Sequence, residues 1–218
     1  MKPVTTLAVA LAMTASFVLD AAADPVDDAI ANIQAQWARI TYQVIDDDRK
    51  EAAYEALEAD AGSLVERFPD RAEPRIWSGI VLSTHAGVAG GIGALKLVKA
   101  ARGLFEEALA IDESALAGSA HTSLGSLYYQ VPGWPLAFGD DDKAEQHLLR
   151  ALAINPEGID PNYFYGDYLY RQGRHREAAE ALEHALAASP RPGRALADAG
   201  RRQEARALLD KVRGRLGS

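Results

Sequence analysis

The chain has 218 residues, of which 48% are hydrophobic and 25% are charged, so it can build one folded domain or one short repeat array and is not a wholly disordered protein. Its net charge is −8, and its only local basic excess, near the C-terminus, is interrupted by acidic residues, which argues against nucleic-acid binding. The absence of cysteine excludes disulfides, c-type haem attachment and a lipoprotein anchor on cysteine.

The N-terminal 23 residues have the features of a cleavable signal peptide. Lys2 precedes an uncharged, mostly apolar stretch over residues 4–18, which is short for a membrane span. Small residues at Ala21 and Ala23 fit a cleavage site, with Asp24 as the first mature residue. We therefore expect a secreted or periplasmic protein without a membrane anchor after cleavage. The alternative is an uncleaved N-terminal anchor or a buried helix.

The first elements of the mature chain are two helices, predicted at about residues 26–45 and 48–68. Asp48 and Glu51 have the spacing of an N-terminal capping box for the second helix. Pro69 follows that helix and ends the pair.

Three helix pairs follow, predicted at about residues 72–112, 115–156 and 159–190, and the last two share a fixed spacing. Four residues of the second pair recur 34 positions later in the third: Ala144, Leu148, Ala151 and Pro156 correspond to Ala178, Leu182, Ala185 and Pro190. Small alanines let antiparallel helices approach, the leucine fills the gap between them, and the proline ends the unit. Gly166 supplies the small residue of the facing helix, twelve positions before Ala178. The period and these residue types resemble the tetratricopeptide repeat (TPR).

The upstream pairs are looser versions of the same unit. Gly125 and Gly79 correspond to Gly166, with insertions at 130–139 and 86–98. A last helix at about 198–212 is expected to cap the array, and no segment shows the alternation of a strand. The sequence therefore predicts an all-α fold, a TPR-like right-handed helical solenoid of about nine helices, in a single domain over residues 24–218.

The first helix of each repeat lines the concave face of such an array, which predicts a groove for a partner or ligand. Register against Gly166 places there aromatic and hydrogen-bonding side chains, namely Tyr129, Tyr163, Asp167, Tyr170 and Arg171. The alternative is that the tyrosines pack between helices with only their hydroxyl groups in water.

The 130–139 insertion is a second candidate site. Trp134 and Phe138 lie there between proline and glycine residues. They form either a rigid recognition element or a plug that folds back over the end of the core.

Signatures of catalysis and metal binding are missing from the sequence. There is no nucleophile elbow, zinc-protease motif or phosphate-binding loop, and no two histidines are spaced to share one helix face. The aspartate runs at 46–48 and 140–142 lack the spacing of a calcium loop and precede helices, where N-capping explains them better. We therefore predict no catalytic residues, no metal and no cofactor.

Three motifs indicate a family. They are Val131-Pro132-Gly133-Trp134-Pro135, Gly158-Ile159-Asp160-Pro161-Asn162-Tyr163 and Arg191-Pro192-Gly193-Arg194. Together they resemble bacterial periplasmic TPR proteins grouped with the T component (TatT) of tripartite ATP-independent periplasmic (TRAP) transporters, over about residues 70–214. The resemblance implies association with a periplasmic solute-binding protein, and homo-oligomers with a pore that passes a small, hydrophobic ligand. The chain departs from the lipoprotein members because it lacks their anchoring cysteine.

These observations give two main functional hypotheses. The first is a non-enzymatic periplasmic scaffold or adaptor for a partner protein, such as the solute-binding protein of a TRAP-type transporter. The second is a periplasmic small-molecule carrier that binds its ligand in the TPR groove or pore. A deep, dry pocket favours the carrier, whereas a flat face favours the adaptor. Convergence of histidines on a carboxylate-lined cleft would instead indicate an enzyme or metalloprotein.

Overall fold

A computed structural model describes residues 24–217, and the predicted signal peptide at residues 1–23 lies outside this range. Between residues 24 and 217 the chain forms nine helices and no strand, so the predicted all-α fold is confirmed. The helices are α1 (Pro25–Gln43), α2 (Asp47–Arg67), α3 (Ala72–Ala89), α4 (Gly91–Ile111), α5 (Ala115–Gln130), α6 (Asp141–Ile154), α7 (Ile159–Arg171), α8 (His175–Ala187) and α9 (Ala195–Leu216). None of these helices is long and apolar enough to cross a membrane.

Aspartate side chains form the N-caps of three of the helices. The Oδ1 atoms of Asp24, Asp46 and Asp140 accept backbone N–H groups from the first turns of α1, α2 and α6 at 3.0, 2.9 and 3.0 Å. The prediction that both aspartate runs serve as helix caps is therefore confirmed. The assignment of the α2 cap to Asp48 is wrong, because Asp46 caps the helix and Asp48 lies in its first turn, where a carboxylate complements the helix dipole.

The two insertions have different structures. The 86–98 segment is helical except at a break, where Gly90 has φ +62° and separates α3 from α4. The 130–139 segment is mostly non-helical and is held by the backbone N–H of Gly139, which donates to the carbonyl of Pro132 at 2.9 Å. The last helix, α9, runs beyond the predicted 198–212 at both ends.

The helices form two layers. The odd-numbered helices make an inner ring in which each contacts the next, and α9 returns to contact α1. Each even-numbered helix lies outside and contacts the two odd-numbered helices that flank it in sequence. Where the ring closes, the ring of Tyr42 on α1 lies directly against Gly200 on α9, and Ala197 joins the apolar cluster of α1 and α2. The helix predicted to cap the array therefore also joins its two ends.

Three pairs of inner and outer helices share one kind of close contact, between a glycine and a large side chain. In each case a glycine on the inner helix faces a buried side chain on the outer helix, and a Cβ atom on that glycine would lie only 2.6–2.8 Å from the side chain. The three contacts are Gly79 with Phe105, Gly125 with Leu148 and Gly166 with Leu182. The local sequence pattern thus fixes the distance between the inner and outer helices.

Candidate functional site

A cavity of about 340 Å³ lies within the ring of odd-numbered helices. We call it the central cavity and define it by Trp37, Trp77, Ser123, Phe164, Arg194 and Arg201. Its walls come from α1, α3, α5, α7, α9 and the segment 191–194, and no lining residue belongs to an even-numbered helix. The cavity is therefore a product of ring closure, not of any single helix pair.

The first wall of the central cavity is aromatic. Trp37 on α1 and Trp77 on α3 are buried and meet edge to face, with ring centroids 5.8 Å apart. The indole N–H of Trp37 donates to Oγ1 of Thr84 at 3.1 Å, which fixes the ring. Ile80 and Phe164 extend this apolar surface. The wall suits a flat or aliphatic ligand body.

The second wall carries the hydroxyl groups of α5. Ser119 donates to the carbonyl of Leu116 at 2.6 Å, and Ser126 accepts from the side-chain amide of Gln130 at 2.9 Å. The side-chain hydroxyl of Ser123 makes no hydrogen bond with any residue in the range 24–217. Its hydroxyl group is therefore available to a bound molecule.

The third wall is charged and most of its charges are paired. Asp160, near the start of α7, accepts from Arg191 Nη1 at 2.7 Å and from Arg201 Nε at 2.8 Å. Burial alone would raise the pKa of Asp160, but the two arginines outweigh it and hold the pKa at about 2. Arg191 also bonds the buried Asp198 at 2.7 Å, and Arg201 bonds Glu204 at 2.6 Å. Arg191 and Arg201 are thus each held by two carboxylates.

Arg194 is the exception on this wall. No carboxylate within residues 24–217 lies within 4.0 Å of its guanidinium group, and its Nε atom is buried without a hydrogen-bond partner. Its Cζ atom lies 5.0 Å from the centroid of Trp77, whose indole N–H is also buried without a partner. Burial and then the neighbouring charge of Arg191 lower the pKa of Arg194. The cavity wall therefore contains one guanidinium group that forms no ion pair with a side chain of the described range.

None of the seven site residues predicted from sequence lines the central cavity. Three of them meet beside it, between α5 and α7. The hydroxyl of Tyr129 donates to Oδ2 of Asp167 at 2.8 Å, and Arg171 Nε donates to the same oxygen at 3.3 Å. Gln130 connects this group to the cavity, because it lines the cavity and donates to the Tyr129 hydroxyl oxygen at 3.2 Å.

The other two predicted groove tyrosines have separate surroundings. Tyr163 packs against Phe164, with centroids 5.2 Å apart, and lies under the guanidinium of Arg201 at 4.4 Å. Tyr170 packs against His175 at 5.5 Å. Both are partly buried in the apolar core, so the alternative that tyrosines pack between helices describes their positions.

The two aromatic residues of the 130–139 insertion also separate. Phe138 packs edge-on against Tyr128 at 5.7 Å and lies under Arg102, whose Cζ atom is 4.5 Å from the ring centroid. Trp134 is 90% exposed, and the nearby Leu136 is 71% exposed. Phe138 thus anchors the loop while Trp134 projects from it.

Two histidines meet between α5 and α6. Nδ1 of His121 and Nδ1 of His147 are 2.9 Å apart, and Tyr128 stacks on His147 at 5.7 Å. Burial first and the charge of the partner second lower the pKa of His147 to about 4, and burial also lowers the pKa of His121. Within residues 24–217, no three histidine, aspartate or glutamate side chains are grouped as metal ligands.

Sequence reasoning missed the residues that build the central cavity. Trp37 and Trp77 could have been found from the sequence, because two of the three tryptophans lie on the first helices of their pairs, which face the inside of such an array. Arg191 and Arg194 belong to one of the three family motifs, but no spacing rule places them against Asp160 or Trp77.

The ring of paired helices defines an all-α protein with a cavity at its centre. The family comparison is more specific. The model of the family described as TRAP transporter T-component matches residues 80–214, more than half of the chain, and the chain belongs to this family. The predicted resemblance is therefore confirmed, and the protein has a role in TRAP transport. No curated protein gives a clear sequence match to the chain.

Proposed function

We propose that this T-component is a periplasmic carrier that holds a small organic molecule in the central cavity during TRAP transport. The central cavity is the observation that supports the proposal, because an adaptor without a ligand has no need of a concave space between its inner helices with an aromatic wall. Its volume of about 340 Å³ is within the range of small-molecule sites in proteins. The aromatic wall gives a ligand apolar contact, and the hydroxyl and charged groups of the other two walls can orient it by hydrogen bonds. The role is one of binding, without catalysis.

We also propose that the helix pairs form a TPR-like right-handed solenoid whose two ends meet. The 34-residue spacing of the last two pairs supports this, as do the three equivalent glycine contacts between inner and outer helices. In such an array the first helices line the inner face, which agrees with the odd-numbered helices that line the cavity.

A cavity-filling variant tests the carrier proposal. Ser123→Trp places a large ring in the cavity and breaks no hydrogen bond of the described residues. Ser63→Trp is the matched control, since Ser63 is exposed on the outer helix α2. Each protein is purified from the periplasm of its own bacterium and denatured, and the released small molecules are identified by mass spectrometry. We expect one compound in stoichiometric amount from the wild type and from Ser63→Trp, and its loss from a folded Ser123→Trp. The same compound at the same amount in all three proteins, or in none, would refute the proposal.

A second candidate function is the adaptor, which the exposed loop residues favour. Trp134 and Leu136 place apolar surface in water on a loop that Phe138 fixes to the body. Exposed apolar side chains on an ordered loop are typical of a protein-binding element. We propose that this loop contacts the solute-binding protein of the same transporter.

This contact is tested with the purified solute-binding protein encoded with the transporter. Biolayer interferometry should show binding to the wild type and at least tenfold weaker binding to the double variant Trp134→Ala with Leu136→Ala. Ile92→Ala is the control, because Ile92 is 89% exposed and lies on a different segment. Equal affinity of the wild type and the double variant would exclude the loop as the contact.

A further inference from the structure

We propose that the molecule held in the central cavity is a monoanion with an apolar body, and that Arg194 binds its negatively charged group. A carboxylate is the simplest such group, because a guanidinium can donate two parallel hydrogen bonds to it. This inference rests on the carrier function proposed above and gives that function a ligand class.

The choice of Arg194 follows from what the other cavity arginines already do. Arg191 and Arg201 share Asp160, and each also bonds a second carboxylate, either Asp198 or Glu204. Arg194 has no ion pair within residues 24–217 and lines the cavity. Arg194 is partly buried, and its Nε atom has no hydrogen-bond partner, so an anionic ligand would supply the ion pair that this guanidinium lacks.

The ion pairs of the charged wall favour one negative charge on the ligand and not two. Arg191 and Arg201 are paired with the carboxylates of Asp160, Asp198 and Glu204, whereas Arg194 has no ion pair within residues 24–217. Arg194 is the one cavity arginine without a carboxylate partner among the described residues, so a second anionic group on the ligand would meet no unpaired cation. A cationic ligand fits worse still, because both cavity carboxylates already accept from arginines.

The body of the ligand is assigned from the surface next to Arg194. Its guanidinium carbon lies 5.0 Å from the ring centroid of Trp77, and Trp77 continues into Trp37 and Ile80. A ligand whose charged group meets Arg194 therefore has its remaining atoms against an aromatic and aliphatic surface. The free hydroxyl of Ser123 offers one further polar contact within the same cavity.

The test uses two pairs of probes that differ in charge but hardly in shape. The pairs are 3-phenylpropanoate with 3-phenylpropanamide, and octanoate with octanamide. The full protein is stripped of bound molecules by unfolding and refolding, and dissociation constants are measured by isothermal titration calorimetry. We expect at least one of the carboxylates to bind at least tenfold more tightly than its amide.

Three variants assign the difference to Arg194. Arg194→Gln should weaken carboxylate binding about ten- to hundredfold and leave amide binding unchanged, whereas Arg194→Lys should recover part of the loss. Arg206→Gln is the control, because Arg206 lies exposed on α9 outside the cavity and should bind as the wild type does. Circular dichroism at each measurement shows that the variants are folded, and the comparison of carboxylate with amide on the wild type needs no variant.

The outcomes separate this inference from the carrier function. Equal binding of a carboxylate and its amide, with no effect of Arg194→Gln, would overturn the anion site and leave the carrier function standing. Absence of binding by all four probes also overturns the anion site as drawn, while the carrier function is decided by the compound released from the native protein. If the native protein releases a neutral or cationic compound, the proposed anion site is refuted and the carrier function is retained.

Discussion

Replacing the inner-helix glycines by alanine tests how closely the two helix layers approach. The informative variants are Gly125→Ala on α5 and Gly166→Ala on α7, with Gly103→Ala on α4 as the control. All three glycines lie within helices. An added Cβ atom at Gly103 would have no neighbour within 4 Å, whereas at the other two positions it would meet a buried leucine.

The expected change in the free energy of unfolding is the difference between a gain in helix propensity and a cost of overpacking. Alanine in place of a helical glycine stabilises the folded state by about 1 kcal/mol, because it restricts the unfolded chain. At Gly125 the new Cβ atom would lie 2.6 Å from Cγ of Leu148 and 3.1 Å from the carbonyl oxygen of Ala144. These distances are well inside the optimum of about 3.5–4.0 Å, and overpacking of a core costs about 1–3 kcal/mol. The net effect at Gly125 is therefore a loss of up to about 2 kcal/mol.

Gly166→Ala should be less harmful than Gly125→Ala. Its Cβ atom would lie 2.8 Å from Cγ of Leu182 and 3.4 Å from the carbonyl oxygen of Ala178, so both distances are longer than at Gly125. Gly103→Ala has no clash to offset the gain and should raise the free energy of unfolding by up to about 1 kcal/mol. The predicted order of stability is Gly103→Ala, then Gly166→Ala, then Gly125→Ala.

Urea unfolding followed by circular dichroism at 222 nm measures these differences, and thermal melting provides a check. A change of 1 kcal/mol should move the melting temperature by about 2–4 °C in a chain of this size. The reasoning is refuted if Gly125→Ala and Gly166→Ala stabilise the protein as much as Gly103→Ala does. The layers would then be further apart than the structure places them, and the small-residue explanation of the repeat would fail.

Two further predictions concern titratable groups. His147→Gln should reduce the loss of stability that the wild type shows between about pH 6.5 and pH 4. In that range the unfolded chain takes up a proton that the partly buried His147, with its pKa of about 4 beside His121, does not accept. Because solvent screens a partly exposed ring, the effect is about 1–2 kcal/mol, and urea unfolding at both limits measures it. Asp160→Asn should cost about 2–4 kcal/mol at pH 7, because Arg191 and Arg201 lose their shared carboxylate. In the wild type, the stability that Asp160 provides exists only while the carboxylate is ionised, and its pKa is lowered to about 2, so this stability should be lost as the pH falls from about 4 to 2. Asp160→Asn should not show this loss of stability. Melting curves across that pH range check this.

The paired helices were predictable because their signals are local and repeated. Gly166, Ala178 and Leu182 report one helix–helix contact within 17 residues of sequence, and the second pair repeats it with Gly125 and Leu148. Small residues are required wherever backbones approach, so the pattern identifies the contact itself. The cap of α2 was missed for the opposite reason, since three consecutive aspartates offer three equivalent caps.

The closed ring and the central cavity were not predictable from these signals. The contact of Tyr42 with Gly200 joins residues far apart in sequence, and nothing in either local pattern marks it. Register against Gly166 identified which helices face inward but not which side chains reach the cavity. Tyr163 shows the limit, because it lies on an inner helix yet packs against Phe164 and Arg201 beside the cavity.

Ring closure and the charged wall of the cavity depend on the same element. Helix α9 contacts α1 through Gly200, and the next residue, Arg201, bonds Asp160 of α7. The segment that leads into α9 supplies Arg194, which covers Trp77 of α3. A change that moves α9 away from α1 would therefore open the cavity and separate its charges in one step. A ligand that bound Arg194 and lay on Trp77 would connect the segment before α9 to α3. Its binding should therefore stabilise the closed ring, and the free energy of unfolding should rise with ligand affinity.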